Sequence, residues 1–282
     1  YAEPMDPLPI VVAAAAASAL FCWIASLVTK DTSWVDRLWS IVPVVYVWIF
    51  AVAALTHGDD ATRLILMAVL VTAWGARLTF NFARKGGYSG VEDYRWAILR
   101  GRMKPWQFQL FNLLFIVLYQ MTLLVLITLP AFVAWQHPAP ITGWDAAIAL
   151  LFALLLLGET IADQQQWEFH QRKKRGEAEG FLTTGLFAFS RHPNFFFEQA
   201  QWWAFYALGA TAAVSAGAGF WGGAINPTIV GPVLLTVLFI GSTVFTESIS
   251  ASKYPAYAAY RKETSMLVPL PRRARRDERA LS

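Results

Sequence analysis

Residues 191–198 combine the side chains needed to hold an anion: Arg191-His192-Pro193-Asn194, three phenylalanines, then Glu198. Proline suits the first turn of a helix, where its missing N–H is no loss. Arg191 and His192 would then flank a partly positive helix N-terminus, a natural seat for a phosphate-bearing ligand. The plain alternative is a basic membrane boundary, which any multispan protein has. Glu198 lies about one turn further on; within an apolar stretch it needs a cation, an amide donor or a ligand. Upstream, Glu159, Asp163, Gln166 and His170 fall at i, i+4, i+7 and i+11, on one helical face, and Gln164, Gln165 and Trp167 widen it. A polar face inside a span should line a wet cavity, unless the stretch from Asp163 to His170 only marks the helix leaving the membrane. Downstream, Lys253, Tyr257, Tyr260 and Arg261 share one face of a short interfacial helix. Such donors and aromatic planes suit an adenine nucleotide, although belt anchoring explains each residue singly. Arg77 with Asn81 could meet a phosphate or snorkel, and Asp36 with Arg37 reads as an interfacial charge pair.

The elements that must position these groups are membrane helices. The chain is 56% hydrophobic and 15% charged, against about 25% charged in soluble domains. Apolar stretches of about 20 residues recur along it. The fold class is therefore all-α: a polytopic protein with seven spans near 8–29, 38–56, 62–83, 107–134, 144–169, 195–215 and 228–251. With the N-terminus outside, 30–37, 84–106, 170–194 and the chain beyond 252 are cytoplasmic and hold the basic residues, leaving Arg63 outside and Arg77 within a span. That asymmetry predicts N-out, C-in. It also accounts for the net charge of +4 with no nucleic-acid partner. The whole of 1–282 reads as one integral membrane domain, with 272–282 a flexible basic tail at the anionic leaflet. Cys22 stands alone and the four histidines are scattered, so neither a disulfide nor a metal site is expected. Glu3 and Asp6 precede the first apolar stretch, which favours a mature span over a signal peptide. No internal repeat points to an inverted-repeat transporter.

Three segments carry a family resemblance. One is Gly185-Leu186-Phe187 with Ser190-Arg191-His192-Pro193-Asn194-Phe195 and Glu198. The second is Lys253-Tyr254-Pro255-Ala256-Tyr257 through Tyr260-Arg261, Thr264-Ser265 and Pro269. The third is Trp74-Gly75-Ala76-Arg77-Leu78, continuing to Arg84-Lys85-Gly86-Gly87-Tyr88 and Glu92-Asp93-Tyr94-Arg95-Trp96. Across 34–270 the chain resembles the membrane-bound steroid 5-alpha-reductase superfamily, in particular its bacterial and fungal reductase-like branch. The resemblance implies an enzyme of a bacterial inner membrane that binds NADPH from the cytoplasmic side. It would pass hydride to the beta carbon of an enone on a lipophilic, steroid-like small molecule, with the alpha carbon then protonated. On this resemblance Asn194 and Glu198 hold the nicotinamide carboxamide, and Asp163 with Gln164 meets the adenosine half. Arg172 and Lys173 meet the 2′-phosphate, Arg191 and His192 the other phosphates, and Lys253, Tyr257, Tyr260 and Arg261 close the site. No metal is implied.

The chain differs from the family pattern at two places. Phe197 stands where glycine commonly precedes the glutamate, so it reshapes the nicotinamide wall or faces away. The second span also lacks the ketone-polarising Glu of the steroid reductases. Asp36, Tyr46, Tyr88, Glu92 and Tyr94 are the substitutes, of which Tyr94, Glu92 and Tyr88 are the catalytic candidates. Two other functions compete. An isoprenylcysteine-type methyltransferase also has an Arg-His-Pro turn before a span, but its S-adenosylmethionine lacks phosphates for Arg172–Arg175. A lipid-binding or transport protein would line a path with Asp163, Glu198 and Glu247.

Overall fold

The computed structural model describes residues 6–272, so most of the expected basic tail lies outside the described residues. Every apolar segment read from the sequence forms a helix, and among the described residues all regular elements are helical. The helices are α1 (Leu8–Thr29), α2 (Trp34–Trp39), α3 (Val42–His57), α4 (Thr62–Arg84), α5 (Tyr94–Arg102) and α6 (Pro105–Phe111). A wider-wound π stretch over Asn112–Tyr119 leads into α7 (Gln120–Gln136). Then come α8 (Gly143–Lys174), α9 (Pro193–Ser215), α10 (Val230–Lys253) and α11 (Tyr257–Glu263).

Among the described residues, six helical segments are long and apolar enough to cross a membrane, including Trp34–His57, Pro105–Gln136 and Pro227–Lys253. The chain is therefore an integral membrane protein by length and composition. Helix α9 has the length, 23 residues, but is not one of the six. Its first turns carry Asn194, Glu198, Gln199 and Gln201, which make it less apolar. Pro193 opens this helix, as its fixed φ and missing N–H favour.

The chain divides into two compact units. The first comprises the described residues up to Phe152 together with Trp202–Leu234. In it, α3 and α4 approach closely at Gly75, where a Cβ would stand 2.5 Å from the Ser40 carbonyl oxygen. Any larger residue would force the two backbones apart. Buried Arg63 spans from the start of α4 to the start of α8. It donates to both oxygens of Asp145 at 2.7 and 2.9 Å, and to the carbonyls of Ala139 and Pro140. At another place in this unit, the 86–100 segment is clasped to the residues around α2. Thr32 donates twice to Glu92, Arg37 donates to the Gly87 carbonyl, Asp93 N–H donates to Ser33, and Trp96 donates to Asp36.

The second unit comprises Ala153–Gln201 and the described residues from Leu235 onward. Phe195 of α9 stacks on Phe239 of α10, ring centroids 4.9 Å apart. Phe197 packs its ring on α8, where a Cβ on Gly158 would lie 2.6 Å from the ring edge. The aromatic side chain that breaks the family's Gly pattern is thus accommodated by a missing side chain opposite it. Phe197 therefore faces α8.

Candidate functional site

All the residues the sequence assigns to a nucleotide, from Asp163 to Arg261, fall in the second unit. The chain that follows α11 wraps over the Arg191-His192-Pro193 turn. Arg191 N–H donates to the Ser265 carbonyl at 2.8 Å and His192 N–H to the Met266 carbonyl at 3.2 Å. Ser190 Oγ donates to the Leu267 carbonyl at 2.6 Å, and Leu270 N–H to the Phe189 carbonyl at 3.0 Å. This strap brings α11 to the turn. Tyr260, on α11, donates its hydroxyl to the Phe187 carbonyl at 2.5 Å.

Beneath the strap, Glu247 of α10 is the hub. It is 3% exposed. Arg191 Nε donates to its Oε1 at 2.6 Å and Arg191 Nη2 to its Oε2 at 3.2 Å, a bidentate pair. His192 Nε2 lies 3.2 Å from Oε1, and Arg261 Nε 3.2 Å from Oε2. Arg191 Nη1 donates to the carbonyls of Arg261 and Thr264. Four of its five N–H donors are thus spent within the chain. Arg261 differs: its side chain is 51% exposed, so it can meet an external anion while touching Glu247. Two guanidinium groups against one carboxylate leave the cluster with an excess of positive charge.

Tyr257 and Tyr260 complete this face. Burial pushes both phenols well above their ordinary range. The Glu247 carboxylate adds to the rise at Tyr257, and Tyr257 adds to that at Tyr260. Both phenols stay protonated and can act as hydrogen-bond donors. Phe181 lies against Tyr254, Tyr257 and Tyr260, with centroids 5.8, 4.9 and 5.3 Å away, forming an aromatic cluster. Lys173 closes its edge by donating to Tyr254 Oη at 2.6 Å and to the Gly180 carbonyl at 2.8 Å. Arg172 and Lys253 are exposed cations of the same unit.

Deeper along the helices the character changes from cationic to acceptor-rich. Glu159, Asp163 and Glu198 are 1%, 4% and 8% exposed. Gln201 donates to Glu159 at 2.7 Å. Gln164 instead points outward and donates to Glu168 at 2.8 Å. Asn194 is half-buried in the first turn of α9.

The three catalytic candidates lie in the first unit. Glu92 accepts from Thr32 and from Arg100, the latter at 2.6 Å. Burial would raise its carboxyl, but the Arg100 guanidinium and the Thr32 donors outweigh burial and hold it below the usual carboxylate range. Tyr88 donates its hydroxyl to the Arg37 carbonyl at 3.0 Å. Tyr94 is 50% exposed at the start of α5.

Sequence reasoning placed Glu247 only on a transport path and missed it as the partner of Arg191, His192 and Arg261. The available signal was a carboxylate deep in the last span that required a cation. It also missed the strap, whose bonds are mostly made by backbone groups and therefore leave no residue pattern.

A family profile described as a protein of unknown function (DUF1295) matches residues 22–264. An uncharacterised protein of Schizosaccharomyces pombe is 37% identical over 266 residues, covering 88% of this chain and 75% of its own length. No solved structure matches the chain.

Proposed function

The chain belongs to the DUF1295 family, within the steroid 5-alpha-reductase-like group, and on that footing we propose that it is an NADPH-dependent membrane reductase. Its substrate would be a lipophilic molecule with an activated C=C bond. In this reading α9 is a seventh crossing, the N-terminus lies outside, and the strap faces the cytoplasm, where NADPH is available. The observation that carries the reading is the second unit itself. It holds exposed Arg172, Lys253 and Arg261, the neutral phenols of Tyr257 and Tyr260 with their ring cluster, and buried Glu159, Asp163, Glu198 and Gln201. A dinucleotide has that same division between anionic phosphates and donor-rich nucleosides.

Bound NADPH would supply the hydride. Arg261, Lys253 and Arg172 hold phosphates. Arg191 and Glu247 position α11, which carries Arg261, Tyr257 and Tyr260, and the strap that follows it. Asn194 and Glu198 receive the carboxamide, and Asp163 a ribose or adenine donor. Lys173, tied to Tyr254, fixes the aromatic cluster. Glu92, held anionic at neutral pH, can only accept hydrogen bonds. The Tyr88 hydroxyl is likewise committed, donating to the Arg37 carbonyl.

The test is saturable NADPH binding by the purified chain, read by tryptophan quenching. Arg261→Gln should weaken it about tenfold, the low end for an exposed charge-assisted hydrogen bond. Unchanged affinity in that variant would remove Arg261 from the site. One observation favours a second reading. Buried Glu159, Asp163 and Glu198 also suit a cationic sulfonium, as in S-adenosylmethionine. Tight binding of that compound with indifference to NADPH would replace the reductase reading with a methyltransferase.

A further inference from the structure

Gln201 is 0% exposed, and both of its amide N–H groups are placed. Nε2 donates to Glu159 Oε2 at 2.7 Å and to the Phe197 backbone carbonyl at 3.2 Å. Exchanging the amide's oxygen and nitrogen would set that oxygen against two acceptors, so the geometry fixes its orientation. Oε1 is then left buried with no hydrogen-bond donor. An unmet acceptor of this kind costs about 1–3 kcal/mol. Snorkelling does not relieve it, because Gln201 stands eight residues beyond Pro193, about 12 Å along the helix. Three more polar atoms of the same unit share the condition, Gln199 Oε1, Thr243 Oγ1 and Thr264 Oγ1, at 8%, 0% and 3% residue exposure. The apolar lining beside Gln201 is Phe197 seated against Gly158.

We propose that Glu159 and Gln201 form a ligand subsite for a hydroxyl or N–H donor at the buried end of a lipophilic molecule. Gln201 Oε1 accepts the hydrogen bond. Glu159 acts as the positioning residue that holds the amide in the accepting orientation. The subsite selects for a donor because its one offered atom is an acceptor, and for a lipophile because the group lies deep among apolar helices. It does not depend on the reductase reading.

The test uses the purified full chain in detergent with two matched pairs: cholesterol and its methyl ether, and farnesol and its methyl ether. Each ether keeps the oxygen and replaces its donor hydrogen with a methyl group, so the Gln201→Met arm separates the lost donor from the added bulk. Affinity is read by ligand-induced thermal stabilisation. At least one alcohol should bind about tenfold tighter than its ether, which corresponds to about 1.4 kcal/mol. Gln201→Met should abolish that preference, and Glu159→Gln should reduce it by freeing the amide to flip. If Gln201→Met does not fold, the wild-type preference and the Glu159→Gln arm decide. Equal binding of alcohol and ether, no binding of either, or a preference that survives Gln201→Met overturns the proposal; the carbonyl then holds water only. NADPH affinity measured on the same samples separates the two claims, since either can fail while the other stands.

Discussion

Replacing Glu247 with glutamine should loosen the second unit sharply. The side chain is 3% exposed and its main partner, Arg191, 8%, so the pair is out of solvent. Glutamine keeps the shape but removes the charge, and its amide nitrogen must face one of the two Arg191 donors. The buried guanidinium is then left without a counter-charge. Breaking a buried pair from one side costs about 3–5 kcal/mol. The contact to Arg261, whose side chain is 51% exposed, adds little, as surface pairs contribute about 0–1 kcal/mol. Near 3 kcal/mol, a chain of this size should lose about 6–12 °C in Tm. The assay is thermal unfolding of the detergent-purified protein, followed by tryptophan emission, for Glu247→Gln, Arg261→Gln and the double variant Arg191→Gln/Glu247→Gln. Arg261→Gln should stay within about 2–4 °C of wild type. The double variant should be more stable than Glu247→Gln, because no buried charge is left alone. Because Arg191 also holds the Arg261 and Thr264 carbonyls, the end of α11 should become cleavable by trypsin after Arg261 and Lys262. A wild-type Tm for Glu247→Gln, or a double variant weaker than the single one, would refute the reasoning.

Asp145→Asn breaks the Arg63 clasp, with side chains 3% and 0% exposed, and should cost about 3–5 kcal/mol in the same assay. It should leave nucleotide affinity unchanged in the molecules that stay folded. Gly158→Ala should lower Tm, since its new Cβ would lie 2.6 Å from the Phe197 ring, and Phe197→Ala in the same chain should restore much of the loss. Glu92 has a lowered folded-state pKa, so its contribution to stability is present above its unfolded pKa of about 4.3 and is lost as pH falls through the lower folded value. Glu92→Gln should mimic that acid state at pH 7, read as faster tryptic cleavage after Arg95 and Arg100. Resistance equal to wild type would show that the clasp does not depend on the carboxylate.

Hydrophobic patterning alone located the helices, because a membrane span needs only length and apolarity. The start of α9 at Pro193 was equally legible, since proline has a defined place at a helix N-terminus. Residues far apart in sequence, such as Asp163, Arg191 and Arg261, could be grouped through motif types, and they fall in one unit. Their partners could not be read. Glu247 looked like one more polar residue near a span end, because the sequence carries no sign that three basic side chains from two other segments converge on it. The fit of Phe197 against Gly158 is a complementarity between helices that neither residue announces alone. The strap over 264–270 is held largely by backbone donors and acceptors, which every residue possesses. Tyr88 and Glu92 were chosen for chemistry that their types allow. Their neighbours Arg37, Thr32 and Arg100 commit them to holding a loop.

The most direct measurement is an equilibrium titration of the purified full chain with NADPH, alongside S-adenosylmethionine and inorganic pyrophosphate, at low and high salt. The reductase account requires saturable NADPH binding that weakens with salt, drops about tenfold in Arg261→Gln, and exceeds the affinity for pyrophosphate because Asp163, Asn194 and Glu198 add contacts to it. Binding of S-adenosylmethionine with none of NADPH, or no dinucleotide binding by folded protein, would contradict it.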